Sequence, residues 1–258
     1  MVRLQFSLIP SRCVLTSWNL ADRVCGAGKS YLCTQLPGEL VGYKVVALSL
    51  DDLYLPHEGL ERLAQEQEGN KMLQGRGPAG THDLGLGRKV LGLLKGINSS
   101  ALSVDGGEGG EGGTVELPVF DKSLHGGKGD RSKATVRVQG PISIVLLEGW
   151  MTGFTPPSLP TTPSHLSTLY PSAQTSPESF AARTGLDYPT PFFLEHSLAD
   201  LEFVEERLGE YEEALWGVLD CFVLLRPRDL GFTWGWRLEV SSFPFRLSRV
   251  WGRRWEGD

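Results

Sequence analysis

The chain has 258 residues, enough for one large α/β domain and too few for two comfortable ones. Its 25 Lys and Arg against 31 Asp and Glu give a formal charge of −6, which argues against a general nucleic-acid binder, because such proteins present a basic face to phosphate. No apolar run reaches membrane-span length. Cys13, Cys25, Cys33 and Cys221 lack metal-like or paired spacing, so a set of reduced thiols in the cytoplasm is expected.

The first 21 residues carry Arg3 and Arg12 and no acid. An organelle-import leader has that composition, but "SRCVLTSW" also reads as the stub of a first strand, and the strand reading is preferred. "CGAGKSYLCTQL" follows, with a glycine-rich turn and a plausible helix start. "YKVVALSLDD" predicts a buried strand from Tyr43 to about Leu50 ending in Asp51 and Asp52, since a continuous, β-branched apolar run suits a central parallel strand. "HEGLERLAQEQEG" and "HDLGLGRKVLGLLKGI" repeat their leucines at helical spacing, and Asp83 stands where it can cap the second.

Residues 99–114 include "GGEGGEGG" and predict a disordered linker. "VELPVFDKS" and "KATVRVQG" predict short extended segments, and "ISIVLLEGW" a second buried strand ending in Glu148. Residues 155–185, crowded with Pro, Ser and Thr, predict a disordered insertion. A long helix beginning near Ser197 and Asp200 then runs into a last strand. Together these elements predict one α/β domain over 1–258, a parallel sheet flanked by helices, decorated by two insertions and an atypical tail at 240–258.

Three sets of residues carry chemistry. Gly26, Ala27, Gly28, Lys29, Ser30 and Tyr31 fit the end of a phosphate loop, in which backbone N–H groups surround phosphate, lysine reaches the β- and γ-phosphates and the hydroxyl meets Mg²⁺. The loop's first glycine should stand at position 23, which is Arg, so GKS alone is equally a glycine-rich helix start with an exposed lysine. Asp51 with Asp52, and Glu148, end two separate strands, and ligands of open parallel sheets bind outside those carboxyl ends. "LQGRGPAGTHDL" and "FDKSLHGGKGDR" offer flexible glycine turns with His82, Asp83, Asp121, Lys122 and Arg131, suited to a small anionic substrate. His125 reads as a surface histidine without supporting neighbours.

The middle motifs, "SLDDLYLPHEGLERLAQEQEGNKMLQGRGPAGTHDLGLGRKVL", "LPVFDKSLHGGKGDR" and "IVLLEGWMTGF", closely resemble plant-type D-glycerate 3-kinase and its fungal kinase-like relatives. These belong with uridine kinase, phosphoribulokinase and pantothenate kinase among the P-loop kinases. The likeness runs from about Cys25 to Glu239 without the insertions.

It implies a P-loop NTPase fold of nucleoside-monophosphate-kinase type, and ATP-dependent phosphoryl transfer to a hydroxyl of a small molecule such as D-glycerate. By the same resemblance Asp51 is the general base, Lys29 the phosphate lysine, and Ser30 and Glu148 the Mg²⁺ residues. His82, Asp83, Asp121, Lys122 and Arg131 line the acceptor side, and Arg237 steadies the transferring phosphate. A cytoplasmic monomer without membrane or nucleic-acid partner is expected.

Arg23 and Val24, and the tail after Glu239, depart from the family pattern, and an intron read through or a misplaced exon boundary is the expected cause. The departures leave a second reading, a nucleotide-binding protein with impaired or no catalysis. A nucleotide hydrolase without an acceptor is a third, disfavoured by the two substrate-side loops.

Overall fold

The computed structural model describes residues 14–16, 29–99, 113–156, 165–184 and 192–224. In chain order they form β1 (Val14–Thr16), α1 (Lys29–Glu39), β2 (Val45–Ser49), α2 (His57–Glu66), α3 (Leu84–Gly96), β3 (Thr114–Leu117), β4 (Phe120–Asp121), β5 (Asp130–Arg131), β6 (Val136–Gln139), β7 (Ile144–Glu148), α4 (His165–Thr175), α5 (Pro177–Thr184), α6 (Leu198–Ala214) and β8 (Phe222–Leu224). Their contacts group into two compact units, one of 1–50, 142–152 and 219–258, the other of 51–141 and 153–218.

The first unit holds the parallel strands. β2 pairs with β7 in a register that sets Val45 beside Ile144 and Ser49 beside Glu148. β1 pairs in parallel with β8, so "SRCVLTSW" does supply a strand. Both predicted apolar runs become strands whose middle residues, Leu48 and Leu147, are fully buried. α1 sets Leu32, Cys33, Leu36 and Leu40 against Val45, Ala47, Ile144 and Leu146. The helix thereby buries one apolar face on the sheet although Pro37 lies within it.

The second unit is built on α3 and α6. Val90, Leu91 and Leu94 of α3 are buried, and its start is capped as expected, Asp83 accepting from the Leu86 amide at 2.9 Å. Ser197 likewise caps α6, accepting from the Asp200 amide at 3.1 Å. The extended segments pair antiparallel, β3 with β6 and β4 with β5.

The insertion at 155–185 is not structureless where it is described. α4 and α5 cover 165–184 within it. Beneath the Pro, Ser and Thr content, Leu166, Leu169, Tyr170 and Ala173 recur at helical spacing, and Pro177 opens α5 at the first position, where its missing N–H costs nothing. Ala173 and Phe180 are buried, and the Phe180 ring meets Phe193 edge-on at 5.6 Å. Most of the glycine linker and the tail beyond Leu224 lie outside the described residues. No helix among the described residues is long and apolar enough to cross a membrane.

Candidate functional site

In the first unit, register brings the ends of β2 and β7 together. Glu148 is buried, and the Ser49 hydroxyl donates to its Oε1 at 2.9 Å. Gly149 permits this geometry. A Cβ there would stand 2.5 Å from Thr152 Oγ1 and 2.7 Å from Leu50 Cβ, so the chain leaves β7 too close to its neighbours for any side chain.

A buried carboxylate braced by a neutral hydroxyl is a hard oxygen donor, the kind Mg²⁺ takes in ones and twos while keeping water and substrate phosphate as its other ligands. Glu148 therefore fits the ion the family resemblance implies. Among the described residues no group of three or more His, Cys, Asp or Glu forms a closed metal cage.

Lys29 and Ser30 begin α1, with Tyr31 in its first turn. Gly26, Ala27, Gly28 and Arg237 lie outside the described residues.

The second unit collects the residues that the resemblance assigns to the acceptor side. "DDLYL" meets "THD" through backbone bonds: the Leu55 amide donates to Thr81 O at 2.9 Å, and the Asp83 amide to Leu53 O at 2.7 Å. This pairing sets the Tyr54 ring over His82, with centroids 4.3 Å apart. Thr81 shapes the preceding glycine turn, accepting from the Gly77 amide and donating to Pro78 O.

The two neighbouring acids divide their roles. Asp52 accepts from the Phe120 amide at 3.1 Å and anchors β4. Asp51 takes the Lys122 ammonium at 2.5 Å.

Arg131 bonds Asp83 at 3.1 Å and Tyr54 O at 2.7 Å, so Asp83 serves the cap of α3 and this ion pair together. Asp121 turns into its own loop, accepting from Ser123 by amide and hydroxyl; those bonds hold its carboxyl below the ordinary value.

His82 is buried, and desolvation lowers its pKa to about 3 against a smaller upward pull from Asp51, leaving the imidazole neutral at physiological pH. Its Nδ1 lies 2.7 Å from the Tyr211 hydroxyl, while among the described residues no acceptor or donor reaches its Nε2. His82, Asp83 and Gly80 form one wall of a cleft of about 500 Å³ that Leu63 of α2 and Phe203 and Arg207 of α6 also line.

Of the sequence-predicted residues, the structure pairs Asp51 with Lys122 and Asp83 with Arg131, buries His82 against Tyr211, and turns Asp121 into its own loop. Reasoning from sequence missed Tyr211, Tyr54 and Ser49. Tyr211 carried one signal, an aromatic among the acids of a helix, spaced to share a face with Ala214 and Leu215; Ser49 carried none until strand register was known.

His125 does have neighbours. Its ring stacks on His57 at 3.8 Å and its Nε2 lies 3.2 Å from Asp130. Only the fold brings together residues so far apart in sequence.

No family model matches the chain. It is 38% identical over 136 residues to the probable ATP-dependent kinase TDA10 of Saccharomyces cerevisiae, covering 51% of this chain and 44% of that protein. It is 28% identical over 200 residues to the chloroplastic D-glycerate 3-kinase of Arabidopsis thaliana, covering 77% and 34% respectively. Among solved structures, D-glycerate 3-kinase from Cryptococcus neoformans var. grubii matches with a TM-score of 0.65 at 35% identity, over 92% of this chain and 71% of that one. The chain thus spans less than half the length of those two curated relatives.

Proposed function

Since the chain belongs to the family of D-glycerate 3-kinase and its ATP-dependent kinase relatives, we propose that it transfers the γ-phosphoryl group of ATP to a hydroxyl of a small hydroxy acid, with D-glycerate the acceptor to test first. The observation that carries this reading is the pair of strand-end acids. Glu148 is buried where β7 ends beside β2, and Asp51 follows β2 by two residues, in a polar network with Lys122. Phosphoryl transfer needs such groups: a metal-facing carboxylate, a base for the attacking hydroxyl, and cations for the anions involved.

In this reading the fold is of P-loop NTPase type, and residues 26–31 hold the nucleotide, Lys29 taking its terminal phosphates. Glu148 and Ser30 hold Mg²⁺, which when bound shields phosphate charge. Asp51 accepts the hydroxyl proton of the substrate. Lys122 carries the positive charge that receives the substrate carboxylate, leaving Asp51 as that carboxylate arrives. Arg131 and Asp83 keep the wall in place, with Asp121 ordering the loop of Lys122, and Arg237 steadies the transferring group. The protein acts as a monomer on a small molecule in the cytoplasm.

The test is ADP release by purified protein with ATP, Mg²⁺ and D-glycerate, alongside pantothenate, uridine and ribulose phosphate. Asp51→Asn should lower kcat about 10²- to 10⁴-fold with ATP affinity unchanged. No acceptor-dependent ADP release, or an undiminished Asp51→Asn turnover, overturns the assignment.

A further inference from the structure

Tyr211 is fully buried on α6, and burial raises the pKa of its phenol, which therefore stays protonated. Its oxygen accepts from the Gly80 amide at 3.1 Å and also feels the His82 amide. Gly80 offers that amide from a backbone of φ +96°, where a side chain would be strained, and a Cβ would come within 3.2 Å of Arg207 Cγ.

With backbone N–H groups on its lone pairs, the hydroxyl has one proton to place. Nδ1 of the neutral His82, 2.7 Å away, is its acceptor. The opposite arrangement, Nδ1–H donating to the phenol, would crowd donors onto one oxygen and strand a buried O–H.

The tautomer follows: the proton of His82 sits on Nε2. That N–H is shielded from water and has no acceptor among the described residues. A buried donor left without a partner forfeits the hydrogen bonds it would make in water, so its persistence points to a partner that arrives with a ligand. Tyr54, stacked on the opposite ring contact, fixes the imidazole plane. Being neutral, the group is a hydrogen-bond donor that adds no charge beside Asp51, so it suits an oxygen of the acceptor without drawing the base into an ion pair.

We propose that Tyr211 is a positioning residue which locks His82 as the Nε2–H tautomer, and that this N–H donates to an oxygen of the bound hydroxy acid. The ligand half of the proposal rests on the kinase reading above; the tautomer half does not.

The experiment is ¹⁵N–¹H correlation spectroscopy of the imidazoles in the full chain, with His82 assigned by loss of its signals in His82→Gln. Wild type should show the Nε2–H tautomer alone, and Tyr211→Phe a mixture or the Nδ1–H form. Adding D-glycerate should move the His82 Nε2 signal in wild type.

In turnover, Tyr211→Phe should raise KM for D-glycerate about tenfold with KM for ATP unchanged. His82→Gln, which keeps an N–H near that position, should retain more activity than His82→Ala. A Nδ1–H tautomer in wild type overturns the proposal regardless of whether Tyr211→Phe folds. A Nε2 signal that ignores D-glycerate but moves in Asp51→Asn also overturns it, by giving the donor to the base instead. Absence of phosphoryl transfer with the Nε2–H tautomer intact would overturn the kinase reading and the ligand half together, leaving the lock itself standing.

Discussion

Asp51 and Asp52 illustrate how adjacent, identical side chains acquire different work. The backbone turn after β2 sends one carboxylate to the Phe120 amide and the other to Lys122, a group able to exchange one anion for another. The sequence marked both acids as strand-end residues, and the resemblance picked Asp51 as the base; the hydrogen bonds show that the two carboxylates have different partners. Lys122 is half exposed, which leaves it able to turn toward a substrate carboxylate. Lys122→Met should therefore raise KM for D-glycerate about tenfold while KM for ATP stays within a factor of two, the loss of one charge-assisted hydrogen bond. Steady-state kinetics with each substrate varied in turn checks this, and equal effects on both constants would remove Lys122 from the acceptor side.

Strands and helices were readable wherever hydrophobic period and caps agreed. β2, β7, α2, α3 and α6 fall where the patterns put them, and Asp83 and Ser197 cap the helices they precede. α4 and α5 escaped because composition outweighed period: Pro, Ser and Thr suggest disorder even when Leu166, Leu169, Tyr170 and Ala173 recur three and four residues apart. The pairing of β1 with β8 depends on residues more than 200 positions apart, which no local pattern records. The exit from β7 is equally hidden, because the need for glycine at 149 comes from Leu50 and Thr152 pressing on that spot. Gly149→Ala should destabilise the protein by about 1–3 kcal/mol through overpacking, read as a lower urea midpoint. An unchanged midpoint would show that the strand exit can relax.

For the molecule as a whole, one buried and one hydrogen-bonded group of the second unit, His82 and Asp130, make stability depend on pH in one direction. His82 has a folded pKa of about 3, below its ordinary 6.5, so the unfolded chain binds its proton first. Its contribution is complete above about pH 6.5 and is lost as pH falls toward 3, with a slope near 1.4 kcal/mol per pH unit for one proton. Asp130 adds to the loss at lower pH. The His57 amide, then the Arg131 amide and His125, hold its carboxyl below 3.8, so its contribution disappears as acid protonates it. Urea midpoints measured from pH 7 to pH 4 should fall steadily, and the upper part of that fall should be absent in His82→Gln. A flat profile in the wild type would mean that His82 is protonated in the folded state. The parallel sheet and the resemblance were readable together from the sequence, whereas the division into two compact units was not, since it rests on contacts across long separations.

Arg76 joins the two glycine-rich motifs of the second unit. Its Nη1 donates to Gly127 O at 2.7 Å and to Lys128 O at 2.5 Å, across 51 and 52 residues of chain. Closing so long a loop removes conformational entropy, and the carbonyls it fastens belong to the turn that also carries Lys122 and Arg131. The freedom of "GRGPAG" and of "LHGGKG" is thus lost jointly. Whatever contact stills one loop also acts on the other, so order in either lowers the entropic cost of ordering its partner.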